Sequence, residues 1–409
     1  NTTASNNTAV GRRALKANTT GSENTVLGAY ALDANTTASN NTAIGTSALT
    51  GNTTGSENTA VGREALHENT TASNNTATGY RALFANTTGG DNTACGSIAL
   101  DANTTGSSND AFGRNALGKN TTGSNNVALG NNSLSNNLTA DNNTAVGKSA
   151  LTLNTTGGSN TAVGALALDA NTTGASNTAI GQASLSSNTT ASNNTAIGYN
   201  SLTANTTSGN NTGVGMNSLE STTTGNSNVS VGSYSGQSLT TGNLNVFLGF
   251  QAGLYSTAYT TGNYNVAIGG YTVASSATVD YESVLGYNVT GQGSQTVALR
   301  GTPYNTANAD WGTYSDIRIK KNVTDNKKGL DAINQIRVRN FEYKTKEEIL
   351  NDSPELTDVV DAAVKEQEGV QVGVVAQELQ AVLPELVQEE STTVLSVVPT
   401  ELKWYMVNA

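Results

Sequence analysis

The feature that most constrains this chain is a repeat of seventeen residues. The unit "NTTGSENTAVGREALHE" at 52–68 recurs thirteen times without a gap from Asn1 to Ser221. Each unit reads as two short extended pieces, "NTAVG" and "xxAL", joined by a polar turn of Asn, Gly and Ser. Seventeen residues are too few for a helix pair and suit one coil of a solenoid. The period therefore predicts a mostly-β fold, a parallel β-solenoid whose coils rise by ~4.8 Å each.

The repeat also predicts which side chains form the interior. We expect the bulky residue before each Gly, and the Leu four residues after it, to point inward. Cys95 occupies the first of these positions and is predicted to be a buried thiol, while Thr78 in the same position predicts a local packing defect. Asn-Thr-Thr is expected at a solvent-facing turn or in a hydrogen-bonded ladder, because stacked coils align identical side chains.

The predicted core is thin. Each coil offers about four apolar positions, two of them Ala. One chain would bury too little apolar surface to offset the entropy lost on ordering. Three chains around an axis could share such a core, so we expect a homotrimer.

The unit "NTAVGxxAL" resembles the "SVAIGxxA" coil of the head repeats in trimeric autotransporter adhesins, which form left-handed parallel β-rolls. Similar Asn- and Thr-rich repeats occur in phage tail fibres. The resemblance covers residues 1–290 and implies an architecture rather than an activity.

Aromatic residues are rare in the strict repeats, residues 1–221, and cluster in the degenerate repeats and fibre tip at 222–314. One interpretation is a wider solenoid that needs larger core side chains. The other is a saccharide-binding tip, in which Tyr and Trp rings stack on sugars. On the second interpretation Tyr304 and Trp311 are candidate receptor-binding residues.

Composition excludes several classes of protein. Only 12% of the residues are charged, the net charge is −11 and there is a single cysteine. The sequence has no stripe of basic residues, so we expect no nucleic-acid partner. It has no apolar run long enough for membrane insertion. No residue pattern indicates a cofactor or a metal site. The chain begins inside a repeat and stops without a terminating signal, so we expect a fragment at both ends.

The sequence changes character at residue 315. The segment 315–409 resembles the intramolecular chaperone domain of phage tailspikes and endosialidases, the S74 peptidase family. Two motifs carry the resemblance: "SDIRIKKNV", like the family's Ser-Asp-x-Arg-x-Lys-x-Asn start, and "GVVAQELQAVLPELV", like its "GxxAQEVxxxxPE" segment. The segment "SVVPTEL" departs from the usual "SVDYxxL", and the family's long terminal helix is truncated here. The predicted domain is a small α+β unit.

The resemblance implies a trimeric folding clamp that releases itself from the fibre by cutting the chain once. Carried onto this sequence, Ser315 would be the nucleophile, Lys320 its base and Tyr314–Ser315 the scissile bond. The chemistry is sound, because a Ser hydroxyl needs a base and Lys can serve when desolvation lowers its pKa. The resemblance implies a self-cleaving serine peptidase and no turnover enzyme.

The function predicted from these features is a structural trimeric fibre, a phage tail fibre that binds a host glycan or another cell-surface receptor. Its location would be the virion or the extracellular space. A cellular surface adhesin or extracellular filament with the same clamp is the alternative, and an ice-binding Thr array is a remote one. An attachment domain or a secretion signal upstream of Asn1 would distinguish virion from cell.

Overall fold

The computed structural model describes residues 3–254, 256–300, 335–354, 370–389 and 395–397. The chain divides into two compact units, Asn1–Thr306 and Ala307–Ala409. The first unit is a parallel β-solenoid, which confirms the predicted fold class.

The solenoid contains one three-residue strand per coil, and all eighteen strands form one parallel sheet. Strands separated by seventeen residues pair in register, for example Thr42 with Thr59 and Ile44 with Val61. Each repeat is therefore one coil. The strands are β1 Thr8–Val10, β2 Thr25–Leu27, β3 Thr42–Ile44, β4 Thr59–Val61, β5 Thr76–Thr78, β6 Thr93–Cys95, β7 Asp110–Phe112, β8 Val127–Leu129, β9 Thr144–Val146, β10 Thr161–Val163, β11 Thr178–Ile180, β12 Thr195–Ile197, β13 Thr212–Val214, β14 Val229–Val231, β15 Val246–Leu248, β16 Val266–Ile268, β17 Ser283–Leu285 and β18 Val297–Leu299.

The predicted second extended piece, "xxAL", is not a strand. In the unit at 52–68 it forms consecutive turns, with Glu64 at φ 58° and Leu66 at φ 52°. A left-handed residue bends the backbone away from the extended direction, and two of them separated by one residue prevent a strand. The same pair of left-handed positions recurs throughout the strict repeats.

The Gly that follows each strand is required by the stacking of the coils. Gly45 has φ +134°, and a Cβ at this position would lie 2.5 Å from the carbonyl oxygen of Gly62 in the next coil. Only a residue without a side chain permits both this φ and this approach of the backbones. The seventeen-residue spacing of glycine thus follows from the contact between coils.

The interior is formed by the middle residue of each strand and by the Leu after the Gly. Ala43, Ala60 and Leu49 are fully buried, as predicted for the leucines. The residue before each Gly faces outward, so its predicted inward orientation is wrong: Val10 is 57% exposed. Successive residues of a strand point to opposite faces, and the Ala occupies the inner face.

Two sequence-based assignments are corrected for the same reason. Cys95 is the third residue of β6 and is exposed, not buried. Thr78 is the third residue of β5 and is also exposed, so it marks no packing defect. Both side chains are compatible with an outer surface and do not take part in the packing of the core.

Two ladders of buried Asn side chains run beside the Ala and Leu core. In the first, the amide nitrogen of Asn35 donates to Oδ1 of Asn18 in the preceding coil (2.8 Å) and to the carbonyl oxygen of Ala38 (3.0 Å). In the second, the side chain of Asn24 donates to the same carbonyl (3.0 Å). Burying an amide is unfavourable unless its hydrogen bonds are made, and here each coil satisfies those of the next. The Asn of Asn-Thr-Thr is thus a core residue, whereas the second Thr is exposed.

The first Asn ladder ends in the last strict repeat, and the second ends within the degenerate repeats. The ladder through Asn18 stops at Asn205, where Thr222 occupies the next position and the Asn205 Oδ1 has no partner. The ladder through Asn24 stops at Asn265, where Glu282 follows and is fully buried. The Glu282 carboxylate accepts hydrogen bonds from Tyr259 Oη (2.7 Å) and from the backbone nitrogens of Ser275 (3.1 Å) and Gly293 (2.8 Å).

The described elements of the second unit form a small α+β arrangement. They are β19 Arg339–Phe341, α1 Lys346–Asp352, β20 Gln371–Gly373, α2 Ala376–Gln380, a 3-10 helix Pro384–Leu386, β21 Val387–Glu389 and β22 Leu395–Val397. β19 pairs with β20 and β21 with β22, both antiparallel. Leu379, Leu383 and Leu386 form a buried cluster on which Ile336 and Val374 pack. The strand running into a short helix closed by Pro384 agrees with the pattern of "VQVGVVAQELQAVLPELV".

Candidate processing site and interaction surfaces

The predicted processing residues lie outside the described residues. This holds for Ser315, Lys320 and the Tyr314–Ser315 bond, and also for the candidate receptor residues Tyr304 and Trp311. Their roles remain predictions from the sequence.

One residue of the second motif in the C-terminal unit forms an ion pair with a residue of another element. Glu378, in the first turn of α2, accepts two hydrogen bonds from the guanidinium of Arg339 in β19, with Nη2–Oε1 at 2.6 Å and Nε–Oε2 at 3.1 Å. These hydrogen bonds hold the pKa of Glu378 below its ordinary value. A bidentate contact fixes the orientation of both groups. The Glu of "AQE" therefore ties α2 to the β19–β20 pair.

The outer face of the solenoid's sheet carries exposed apolar side chains. The third residue of each strand forms a column, here called the outward stripe, and is usually Val, Ile or Leu. Members at both ends and in the middle are exposed, among them Leu27, Leu129 and Ile268. A contiguous apolar surface of this length is unusual on a monomer and typical of an interface. The repeat pattern was interpreted as placing these side chains in the interior, so this apolar surface was not predicted from the sequence.

The first residue of each strand forms a second outer column beside the outward stripe. Thr dominates it in β1–β13, with Asp110 and Val127 as interruptions. An ice-binding face needs a regular plane of Thr. Here the neighbouring column is aliphatic, so the arrangement supplies one interrupted Thr column and gives little support to that alternative.

The aromatic residues of 222–300 divide between the interior and the surface. Phe247 and Tyr259 are fully buried, with ring centroids 5.4 Å apart, which fits the wider-core interpretation. Burial and the neighbouring Glu282 raise the pKa of Tyr259 above its ordinary value, so its hydroxyl keeps the proton that it donates. The other described aromatics of the segment lie along the two edges of the outer sheet face.

These two edges carry apolar side chains in the same three coils. The leading edge comprises Leu244, Tyr264 and Tyr281, each two residues before its strand; the rings of Tyr264 and Tyr281 stack with centroids 4.6 Å apart. The trailing edge comprises Phe250, Tyr271 and Tyr287, each two or three residues after its strand; these rings meet edge to face at 5.3 and 5.6 Å. Arg300 lies over the Tyr287 ring.

Within the described ranges no group of three or more His, Cys, Asp or Glu side chains has the arrangement of a metal site. The same ranges contain no helix that is both long and apolar enough to cross a membrane.

Comparison with known proteins identifies one segment of the chain. Residues 315–388 match the family model described as chaperone of endosialidase, Peptidase S74. No curated protein and no solved structure matches the chain. The matched segment contains both motifs on which the sequence resemblance was based, together with the β19–β20 pair and α2. Residues 315–388 of this chain therefore match the chaperone-of-endosialidase family, and they follow in sequence a parallel β-solenoid of seventeen-residue coils.

Proposed function

We propose that this protein is a segment of a homotrimeric fibre, a phage tail fibre, whose C-terminal domain directs assembly and then releases itself. The observation that carries the proposal is the outward stripe, an unpartnered apolar column along the solenoid of a chain that also contains a chaperone domain. Three solenoids packed side by side would bury this column around a common axis. Burial of apolar surface on association is the main favourable term for such a contact.

The repeat explains why assembly needs a separate domain. Coils that differ little from one another pair almost equally well when one chain shifts by seventeen residues against its neighbour. The strict repeats therefore do not select their own alignment. A non-repetitive domain that brings three chains together at one end supplies it, and this is the role we assign to residues 315–409.

Release would proceed by attack of Ser315 Oγ on the carbonyl carbon of Tyr314, with Lys320 Nζ accepting the hydroxyl proton. The Tyr314–Ser315 amide bond breaks, its nitrogen takes up a proton as it leaves, and an ester forms between Tyr314 and Ser315 Oγ. Water then hydrolyses the ester, leaving a carboxylate on Tyr314 and a free amine on Ser315. The two chemical steps need no oxidant, reductant or metal ion.

The test of release uses the full chain with Ser315→Ala and Lys320→Ala, and with Lys321→Ala as the matched control. Ser315→Ala should assemble normally and remain full length. Lys320→Ala should slow cleavage by about 10²–10⁴, the usual contribution of general-base assistance, whereas Lys321→Ala should cleave at the normal rate. A wild-type oligomer that never yields a fragment starting at Ser315 would leave a chaperone without peptidase activity.

Residues 233–314 would become the free tip after release, and we propose that they contact the receptor, a cell-surface glycan. Exposed Tyr and Trp rings suit the faces of sugars. Glycan-array binding by the released oligomer should fall several-fold in Tyr304→Ala or Trp311→Ala. Unchanged binding in both variants would return these residues to a structural role.

A further inference from the structure

The outer sheet face becomes wider and more apolar over the last coils of the solenoid. The first strand position, mostly Thr before β14, is Val229, Val246, Val266 and Val297 in four of the last five strands. The outward stripe continues beside it through Leu248, Ile268 and Leu285. The last coils thus carry two adjacent apolar columns, whereas the earlier coils carry only the outward stripe.

The leading edge widens this face on one side. Its position carries polar residues in most earlier coils, such as Glu23, Asn40 and Ser108, and carries Leu244, Tyr264 and Tyr281 here. Tyr264 and Tyr281 are 47% and 53% exposed although their rings stack on one another. On the leading edge, large apolar side chains therefore appear only where the rest of the face has also become apolar.

The trailing edge, which already carries exposed rings such as Tyr80 and Tyr199 in earlier coils, is apolar on the opposite side in the same three coils. Leu244 and Phe250 flank β15, Tyr264 and Tyr271 flank β16, and Tyr281 and Tyr287 flank β17. Phe250 and Tyr287 are exposed. Each of three successive strands is thus bordered by a large apolar side chain at both ends.

We propose that the leading edge of one chain packs against the trailing edge of a second copy of this chain, and that this contact fixes the alignment of the copies. The inference rests on the proposed parallel oligomer. Copies arranged around a rotation axis meet through two different surfaces, one from each neighbour, and a face with two apolar edges at equal height supplies both. A saccharide would need only one such edge.

The three coils that carry both edges differ from the strict repeats, and their small number makes the contact specific. β15 and β16 pair across twenty residues and β17 and β18 across fourteen, whereas the strict repeats use seventeen throughout. A copy shifted by one coil would set Tyr264 against a different residue of the trailing edge and leave either Tyr281 or Tyr287 uncovered, depending on the direction of the shift. Only the unshifted alignment covers both.

The test crosslinks full-length chains in a Cys95→Ser background. One chain carries Tyr264→Cys and a co-expressed, differently tagged chain carries Tyr271→Cys. Oxidation should join the two chains, with a yield several-fold above that of Tyr264→Cys alone, because two leading edges do not meet in a cyclic oligomer. The matched control replaces Tyr271→Cys by Tyr234→Cys, two coils away along the same side and about 10 Å distant, beyond the reach of a disulfide.

A second pair of variants keeps the test independent of disulfide geometry. Tyr264→Ser with Tyr281→Ser should lower the yield of correctly assembled oligomer several-fold, while Glu23→Ser with Asn40→Ser, at the same corner of earlier coils, should leave it unchanged. An oligomer with equal crosslinking in all pairs and normal assembly of the Tyr variants would overturn this inference alone, as would loss of glycan binding without loss of assembly. A monomeric wild-type chain would overturn the proposed oligomer as well.

Discussion

At the scale of the residue, backbone conformation selects the side chain at several positions of each coil. The Gly after each of the strands β1–β17 sits at φ between 120° and 148°, which is unfavourable for any residue with a Cβ. The core leucines adopt left-handed φ values near 50°, as Leu32 does at 49°. This conformation costs about 1 kcal/mol or more for a residue with a Cβ. Their complete burial and the hydrogen bonds between coils offset that strain.

Adjacent glycines provide a matched test of this requirement. Gly269→Ala should destabilise the C-terminal coils by several kcal/mol, because Gly269 has φ +125° and the new Cβ would overlap the carbonyl oxygen of Gly286. Gly270→Ala should change the free energy of unfolding by less than about 1 kcal/mol, since its Cβ would lie at ordinary contact distances, 3.4 Å from the Tyr287 ring and 3.7 Å from the carbonyl oxygen of Phe250. Denaturant unfolding measures both. Equal effects would mean that the close backbone contact between coils is absent.

Glu282 offers a second test at this scale. The Glu282 carboxylate is the acceptor in all three of the hydrogen bonds described above. Glu282→Gln keeps the shape but turns one acceptor into a donor that faces another donor, so it should destabilise by about 1–3 kcal/mol. Denaturant unfolding followed by circular dichroism would measure the change. A neutral or stabilising effect would show that the side-chain carboxyl does not accept these bonds.

At the scale of the element, the seventeen-residue spacing predicted the strand, its register and the buried leucines. The spacing did not predict which residue of the strand faces inward. The bulkiest side chain was expected in the core, and this expectation was wrong. A signal was present: the middle position is almost always Ala, whereas the third accepts Val, Thr, Cys and Phe. A uniform small residue indicates a tight interior, and a variable one an outer surface. The left-handed leucines had no sequence signal, since Leu does not favour that conformation.

The orientation of the leucines leads to a prediction for one coil. Leu100 is fully buried, so Leu100→Asp would place an unpaired charge in the core and should destabilise by several kcal/mol per chain. Circular dichroism during thermal unfolding would record the loss. A variant as stable as the wild type would mean that the leucine column is not the core.

At the scale of the whole molecule, the outward stripe offers a surface through which solenoids with a thin interior would associate into the proposed fibre. The stripe contributes nothing to the core of one chain but offers a mostly apolar surface, interrupted at Thr78, to other copies. The chaperone domain and the widened last coils occur in succession along the sequence, so alignment would be set at that end and continue through the strict repeats.

The stripe can be disrupted without disturbing the coil. Leu129→Asp introduces a charge on an exposed position, 48% accessible, so each chain should keep its circular dichroism spectrum. Association should weaken at least tenfold, because neighbouring copies would bury like charges close together. Sedimentation velocity would measure the oligomer. An unchanged oligomer would place the interface on another face.

The central claim, that copies of this chain associate in register through the outward stripe, is tested most directly with the natural cysteine. Cys95 is the chain's single cysteine and lies on the stripe, exposed. In a parallel trimer the three thiols would lie at one height near the axis. Oxidation of the wild-type protein should therefore link Cys95 to Cys95 of another copy in a particle with the mass of three chains. A particle with the mass of one chain, whose Cys95 reacts freely with an alkylating reagent, would contradict the account.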